Sequence, residues 1–182
     1  MRKMVQNTAL IKTKRLILRE MTEKDLPALR RILQDKEVMY AYEHAFSDEE
    51  VLQWFKNQLR RYGEDGFGLW AAVLKSSGEM IGQCGITYQN LNGRQVPEIG
   101  YLFQKAYWHK GYAAEAAQAC KEYAFSTLGF DEVYSIIRDN NLPSQKVAER
   151  NGMKPCGRIM KHYYGIDMPH IVYSVRSGGQ TK

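Results

Sequence analysis

Tyr107-Trp108-His109-Lys110-Gly111-Tyr112-Ala113-Ala114-Glu115-Ala116 sets a glycine-containing turn between a strand-like run and a long helical pattern. The first backbone amides of a helix have no intrahelical acceptor, and the helix dipole adds partial positive charge, so an anion is favoured there. Gly111 lets the backbone approach such an anion closely, and Lys110 can add charge. Taken bare, a glycine before a helix more often only relieves a turn. The stretch is not a P-loop, because Gly-x-x-x-x-Gly-Lys-Ser/Thr is absent, and it lacks the Gly-x-Gly-x-x-Gly dinucleotide fingerprint.

Downstream, Ala113, Ala116, Ala117, Cys120, Tyr123, Ala124 and Leu128 mark a helix that ends at Gly129. Its inward face is mostly alanine, which lets it lie close to a sheet or to a ligand. Residues 133–138 read as a strand, 143–151 as a short helix stopped by Gly152, and 157–164 and 170–176 as two closing strands. Upstream, 67–74, 80–88 and 96–104 read as three strands joined by a turn at Ser76-Ser77-Gly78-Glu79 and a hairpin at Asn92-Gly93. Before them lie two helix starts. Ser47-Asp48-Glu49-Glu50 is a capping box that opens a helix with Val51, Trp54, Phe55 and Leu59 as its buried face, and Thr22-Glu23-Lys24-Asp25 precedes Leu26, Leu29, Ile32 and Leu33 at helical spacing. Residues 14–19 are the first strand. The fold class is therefore mixed α/β (α+β), with a mostly antiparallel twisted sheet of about seven strands flanked by about four helices.

The chain has 182 residues, 44% of them apolar and 25% charged. That profile suits one globular domain over 1–182, with a core from about 13 to 176 and flexible ends. No apolar stretch is long enough for a signal sequence or a membrane helix, so a cytoplasmic protein without membrane contact is expected. Cys84, Cys120 and Cys156 are odd in number and far apart; all three read as reduced, mostly buried residues. His44, His109, His162 and His170 show no ligand spacing, so no metal site is expected. The net charge of +6 permits an anionic partner, yet the basic residues are dispersed, which disfavours direct nucleic-acid binding. Nothing in the sequence fixes the oligomeric state.

Three segments follow one another in fixed order: Val96-Pro97-Glu98-Ile99-Gly100-Tyr101-Leu102-Phe103, the turn 108–113, and Asp139-Asn140-Asn141-Leu142-Pro143-Ser144 with Glu149-Arg150-Asn151-Gly152-Met153. Together they resemble the GNAT superfamily of acetyl-CoA-dependent N-acetyltransferases. Within it the chain resembles the Rim-type (RimJ/RimL-like) branch that acetylates ribosomal-protein N-termini, whose usual opening Thr13-Lys14-Arg15-Leu16-Ile17-Leu18-Arg19 also matches. The resemblance runs from about Thr13 to Arg176. The family's pyrophosphate motif is Gln/Arg-x-x-Gly-x-Gly/Ala; Gly111 and Ala113 match it, whereas Trp108 stands where Gln or Arg is usual.

The resemblance implies acetyl-CoA as cosubstrate. Backbone amides of His109, Lys110, Gly111, Tyr112, Ala113 and Ala114 would hold its pyrophosphate, and Leu102 and Phe103 would pair with its pantetheine arm. Asn141 would hydrogen-bond the same arm or cap the helix that follows, or do both. His109 is a cofactor contact or simply a surface residue.

Amine acetylation needs a base for the amine and stabilisation of the oxyanion, while the leaving thiolate can take a proton. Glu98 is the candidate base, since it shares a strand face with Gly100 and Leu102; the alternative is a solvent-facing glutamate. The tyrosine many GNAT enzymes carry four residues before the glycine that ends the last helix is Ala148 here. Ser144 matches the serine that the Rim branch uses near the sulfur, although a serine there also often just satisfies backbone.

The resemblance implies an amine substrate as acceptor. The branch favours a ribosomal or other protein N-terminus, with small amines such as polyamines, amino sugars and amino acids as the alternative, and a non-catalytic acetyl-CoA-binding module as a third reading. Tyr40, Tyr42, Phe46, Trp54 and Trp70 lie in segments that wall the acceptor side in this fold, with Trp54 expected to be structural. Tyr88 is a further candidate for the cleft.

Overall fold

A run of apolar residues makes a strand only when both faces are covered, and Leu69–Leu74 (β3) is buried at every position. Alternation divides it. Leu69, Ala71 and Val73 pack with the helices Leu26–Leu33 (α1) and Asp48–Glu64 (α2). Trp70, Ala72 and Leu74 pack instead with the helix Tyr112–Ser126 (α3) on the opposite face.

The computed structural model describes residues 9–178. The remaining strands are Ile11–Lys12 (β1), Leu16–Arg19 (β2), Met80–Leu91 (β4), Arg94–Phe103 (β5), Glu132–Arg138 (β6), Lys154–Tyr163 (β7) and Ile166–Arg176 (β8), and Leu142–Arg150 is α4. All eight strands form one sheet in the order β1-β2-β3-β4-β5-β6-β8-β7. Every pairing is antiparallel except β5 with β6, which are parallel and joined through α3. The mixed, mostly antiparallel sheet matches the sequence expectation.

Several particulars differ. The sheet has one strand more, because Ile11–Lys12 pairs with Leu18 and Ile17; of the ends expected to be flexible, residues 1–8 and 179–182 lie outside the described residues. The last two strands form a longer hairpin than expected, turning at Tyr164 and Gly165, both with positive φ. Leu59 is 42% exposed, and Gln58 is buried in its place. The Gln58 Oε1 accepts from the Leu69 amide at 3.0 Å, so a polar side chain on the inner face caps the start of β3. Cys84 and Cys120 are buried, whereas Cys156 is exposed on β7.

The capping box at Ser47 forms as expected: the Glu50 amide donates to Ser47 Oγ at 3.2 Å and the Ser47 amide to Glu50 Oε2 at 2.8 Å. Thr22 and Asp25 make a similar reciprocal cap, but it opens a 3₁₀ turn over Glu23–Asp25 ahead of α1. The small residues of α3 are fully buried: Ala116, Ala117, Cys120 and Ala124 let the helix lie against the sheet.

Glycines at two positions test this packing with opposite signs. A Cβ added at Gly85 would stand 2.0 Å from the backbone oxygen of Gly68, which cannot move aside. Gly85→Ala should therefore destabilise by about 3 kcal/mol in a urea titration. Gly63, in α2 with nothing within 4 Å of its added Cβ, should become about 0.5–1 kcal/mol more stable as alanine. Two near-neutral results would show that β4 does not approach the 67–69 segment as described.

Candidate active site

The glycine-containing turn is built by residues from three parts of the chain. After β5, a 3₁₀ turn at Lys105–Tyr107 leads to Trp108, whose Nε1 donates to the Phe103 carbonyl at 2.9 Å. His109 and Gly111 then take the left-handed conformation, with φ of 61° and 79°. Gly111 is the N-cap of α3, and a glycine brings no side chain to the first amides. The first helical bond is Glu115 N–H to Gly111 O at 3.1 Å, so the Tyr112, Ala113 and Ala114 amides have no acceptor within the helix.

Arg15 and Thr13 hold this turn from outside. The Arg15 Nη1 donates to the Lys110 carbonyl at 2.9 Å and its Nε to Glu115 Oε2 at 2.7 Å. The Arg15 amide and the Thr13 hydroxyl both donate to Glu115 Oε1, at 2.8 and 2.6 Å. Glu115 is thereby drawn away from the helix entrance, where its charge would repel an anion. Burial alone would raise its pKa; the hydrogen bonds from Thr13 and Arg15 outweigh that and hold it below the ordinary value.

Beside the turn lies a cavity of about 610 Å³. Leu102, Phe103, His109, Gly111, Tyr112, Ala113, Ala114, Asn141 and Ser144 all line it. Lys110 does not: its Nζ donates to the Ala106 carbonyl at 3.0 Å and lies 5.4 Å from the Tyr107 ring centroid, so only its backbone belongs to the turn. Lys146 and Arg150, on the exposed side of α4, line the cavity too.

A second cavity, of about 380 Å³, contains Glu98. Tyr101, Leu102, Asn141 and Ser144 line both, so the two spaces meet across the end of β5 and the start of α4. The opening arises because β5 and β6 share only the register pair Glu98 with Tyr134. Beyond it the Glu98 carboxylate itself accepts the Ile136 amide at 3.0 Å. Burial raises the Glu98 pKa above its usual value, while Lys161, the Ile136 amide and Arg61 pull it back down.

Asn141 is the N-cap of α4: its Oδ1 accepts from the Ser144 amide at 3.3 Å and from the Tyr40 hydroxyl at 2.9 Å. The Tyr101 hydroxyl donates to the Ser144 carbonyl at 2.7 Å, tying α4 to β5. Tyr42, Phe46 and Trp54 form a contiguous aromatic wall of the second cavity, with Tyr163 and Tyr164 from the β7–β8 hairpin also lining it. Trp54 is also structural, since its Nε1 donates to Gln83 Oε1 at 3.0 Å.

Three expected wall residues are elsewhere: Tyr40 lines the first cavity and not the second. Trp70 is fully buried against Tyr123 on the α3 face of the sheet. Tyr88 packs on Phe67 and Phe130, while its neighbours Thr87 and Gln89 line the cavity, as strand alternation requires. Tyr101, Arg61, Lys146, Arg150 and Lys161 were not anticipated. Lys161 and Ile159 are the partly buried residues of β7 and lie two apart, on one strand face, which only the structure reveals.

The family model described as an acetyltransferase (GNAT) domain matches residues 15–154. The Bacillus subtilis (strain 168) protein YkkB is 37% identical over 166 residues, covering 91% of this chain and 94% of its own. The N-acetyltransferase YnaD of the same organism is 32% identical, over 83% of this chain and 86% of its own. Among solved structures, a GNAT-family acetyltransferase from Bacillus anthracis superposes with a TM-score of 0.76 at 27% identity, covering 91% of this chain and 97% of that one. The chain belongs to the GNAT acetyltransferase family and is an acetyltransferase. At 16–17% identity, likeness extends in fold to two acceptor types: spermidine N-acetyltransferase from Vibrio cholerae in complex with CoA and spermine (TM-score 0.72, 88% and 95% covered), and RimL, a ribosomal L7/L12 α-N-protein acetyltransferase (TM-score 0.75, 96% and 94% covered).

The clamp makes a prediction in which pH is the variable. Glu115→Gln should lower stability by about 2 kcal/mol at neutral pH through weaker hydrogen bonds to Arg15 and Thr13. Because the folded pKa of Glu115 is depressed, its contribution is present above the ordinary value of 4.5 and fades as pH falls through the folded value. Denaturant titrations of both proteins should therefore converge in acid. A gap independent of pH would mean that the carboxylate charge is not what holds the turn.

Proposed function

We propose that this chain, acting as one domain, transfers the acetyl group of acetyl-CoA directly to a primary amine, the α-amine of a protein or peptide N-terminus. What carries the reading is the meeting of two cavities at Leu102, Asn141 and Ser144, with Glu98 on the far side of that junction from the glycine-containing turn. The first cavity suits coenzyme A in three respects. Free amides at the α3 entrance suit a pyrophosphate, Lys146 and Arg150 add positive charge, and β5 beyond Glu98 has an edge without a strand partner for an amide-bearing arm.

The cosubstrate supplies a thioester whose carbonyl carbon the amine attacks, forming a C–N bond as the C–S bond breaks. Within the chain, Glu98 takes the proton the amine must lose. An α-amine has a pKa of about 8, and burial raises the Glu98 pKa toward it, which makes the carboxylate a better-matched base. The Ser144 hydroxyl donates a hydrogen bond to the departing thiolate, which takes its proton from water, and the proton on Glu98 returns to water. Leu102 and Phe103 hold the arm, the backbone of residues 109–114 holds the pyrophosphate, and Asn141 serves as helix cap and arm contact together.

The peptide acceptor is supported by the fold-level likeness to an α-N-protein acetyltransferase and by a second cavity large enough for a first residue. The deciding comparison sets Ala- and Ser-initiated peptides against spermidine, an aminoglycoside and free amino acids. The best peptide should have the highest kcat/KM; a higher value for any small amine removes the peptide reading.

Two substitutions test the assigned roles. Gly111→Asp should abolish calorimetric binding of coenzyme A, since a carboxylate would enter the phosphate site and a side chain would strain a φ of 79°. Equal affinities would remove the phosphate assignment. Glu98→Gln should keep that affinity but lose on the order of 10²-fold in turnover. In the wild type the acid limb of kcat/KM should lie above the ordinary glutamate value of 4.5, because the base works only when ionised and its pKa is raised. Full activity of the glutamine variant with an unchanged limb would exclude Glu98.

A further inference from the structure

The second cavity holds more positive charge than an amine acetyltransferase needs. Its lining includes Arg61, Arg138 and Lys161, while among the described residues Glu98 is its only carboxylate. Arg138 is spoken for: it pairs with Glu43, and its Nη1 also donates to the carbonyls of Tyr40 and Ala41 at 3.4 and 3.3 Å. Burial lowers the pKa of His170, which disfavours a charged imidazole there.

Arg61 and Lys161 differ from Arg138. Among the described residues neither has a carboxylate within 4.0 Å, whereas Arg15, Arg19, Arg30, Arg31 and Lys105 all do. Arg61 donates only to Gln58 Oε1, at 3.4 Å, with Arg60 and Asp65 acting on it through space. Lys161 lies 6.0 Å from the Tyr163 ring centroid. Both are partly buried, and both act electrostatically on Glu98. Partly buried cations without an ion partner favour an incoming anion, because its charge offsets a desolvation cost the protein has left uncompensated.

A polycation would meet the reverse situation: two unpaired cations and one carboxylate. We propose, resting on the acetyl-transfer reading, that the acceptor carries a carboxylate or phosphate a few bonds from its reacting amine, and that Arg61 and Lys161 bind this anion while Glu98 faces the amine. The aromatic wall of Tyr42, Phe46 and Trp54 then covers the uncharged part of the acceptor. The same chemistry belongs to a peptide N-terminus with an acidic residue in its first positions and to a free amphoteric small molecule.

The experiment compares acid and amide members of two matched pairs, Ser-Asp- against Ser-Asn-initiated peptides and free alanine against alaninamide, with spermidine as the polycation. Rates are taken on the pH plateau, so that a shifted Glu98 pKa does not contribute. In at least one pair the acid should have a KM about tenfold lower than its amide, and which pair responds identifies the source. In Arg61→Gln/Lys161→Gln the ratio should fall to about one, with Arg61→Lys keeping most of it; thermal melting and coenzyme A affinity report whether each variant is folded. Spermidine as the best acceptor, no acid preference in either pair, or a preference that survives the double substitution would overturn the proposal. If no amine releases coenzyme A at all, the acetyl-transfer reading itself falls, which the spermidine and amide arms detect separately from any loss of acid preference.

Discussion

The two cavities of this chain meet where β5 and β6 part after one register pair. Parallel neighbours normally continue side by side, each satisfying the other's amides and carbonyls. Here the ladder stops at Glu98 and Tyr134, and the Glu98 carboxylate takes the next available donor, the Ile136 amide. That bond keeps the parted strand satisfied and fixes the carboxylate at the base of the cleft. The Ser135 hydroxyl secures the other side by donating to the Ile99 carbonyl at 2.8 Å. Past this point α4 enters the gap, held to β5 by the Tyr101 hydroxyl.

An open cleft requires that the elements around it be held from elsewhere. The α3 entrance is fixed by Arg15 and Thr13 through Glu115, far away in sequence at the first strands. The segment between α1 and α2 is fixed by Arg138, at the end of β6, and by Asn141 through Tyr40. Because Arg138 and Asn141 also line the second cavity, the same side chains that restrain the 40–43 segment shape the space beneath it. Tyr40 lines the first cavity and Ala41 and Tyr42 the second, so a substitution in that segment would reach both.

Much of this architecture is readable locally. The turn at Gly111, the Ser47 cap and the Asn92-Gly93 hairpin are governed by neighbours within a few residues, and strand alternation puts Glu98, Gly100 and Leu102 together. What was not legible arises from long-range packing. Gln58 is buried instead of Leu59 because the Leu69 amide needs an acceptor, a demand invisible within α2. Trp70 and Tyr88 were misassigned because the face they occupy depends on register, and a shift of one residue sends every side chain to the other side. Arg61 and Lys161 converge only because the last turn of α2 and the β7 hairpin both reach the second cavity.

That convergence also bears on the chemistry of Glu98. A buried carboxylate with no cation near it would remain protonated and could accept nothing, while one in a tight ion pair would be too weak a base to take a proton from an ammonium. Arg61 and Lys161 occupy the ground between: close enough to moderate the effect of burial on Glu98, too far to form an ion pair with it. An anion bound between them would neutralise part of that influence and raise the basicity of Glu98 further. The acceptor charge would then contribute twice, once to binding and once to the base, so an acid and its amide should differ in the position of the acid limb of kcat in the ternary complex as well as in KM.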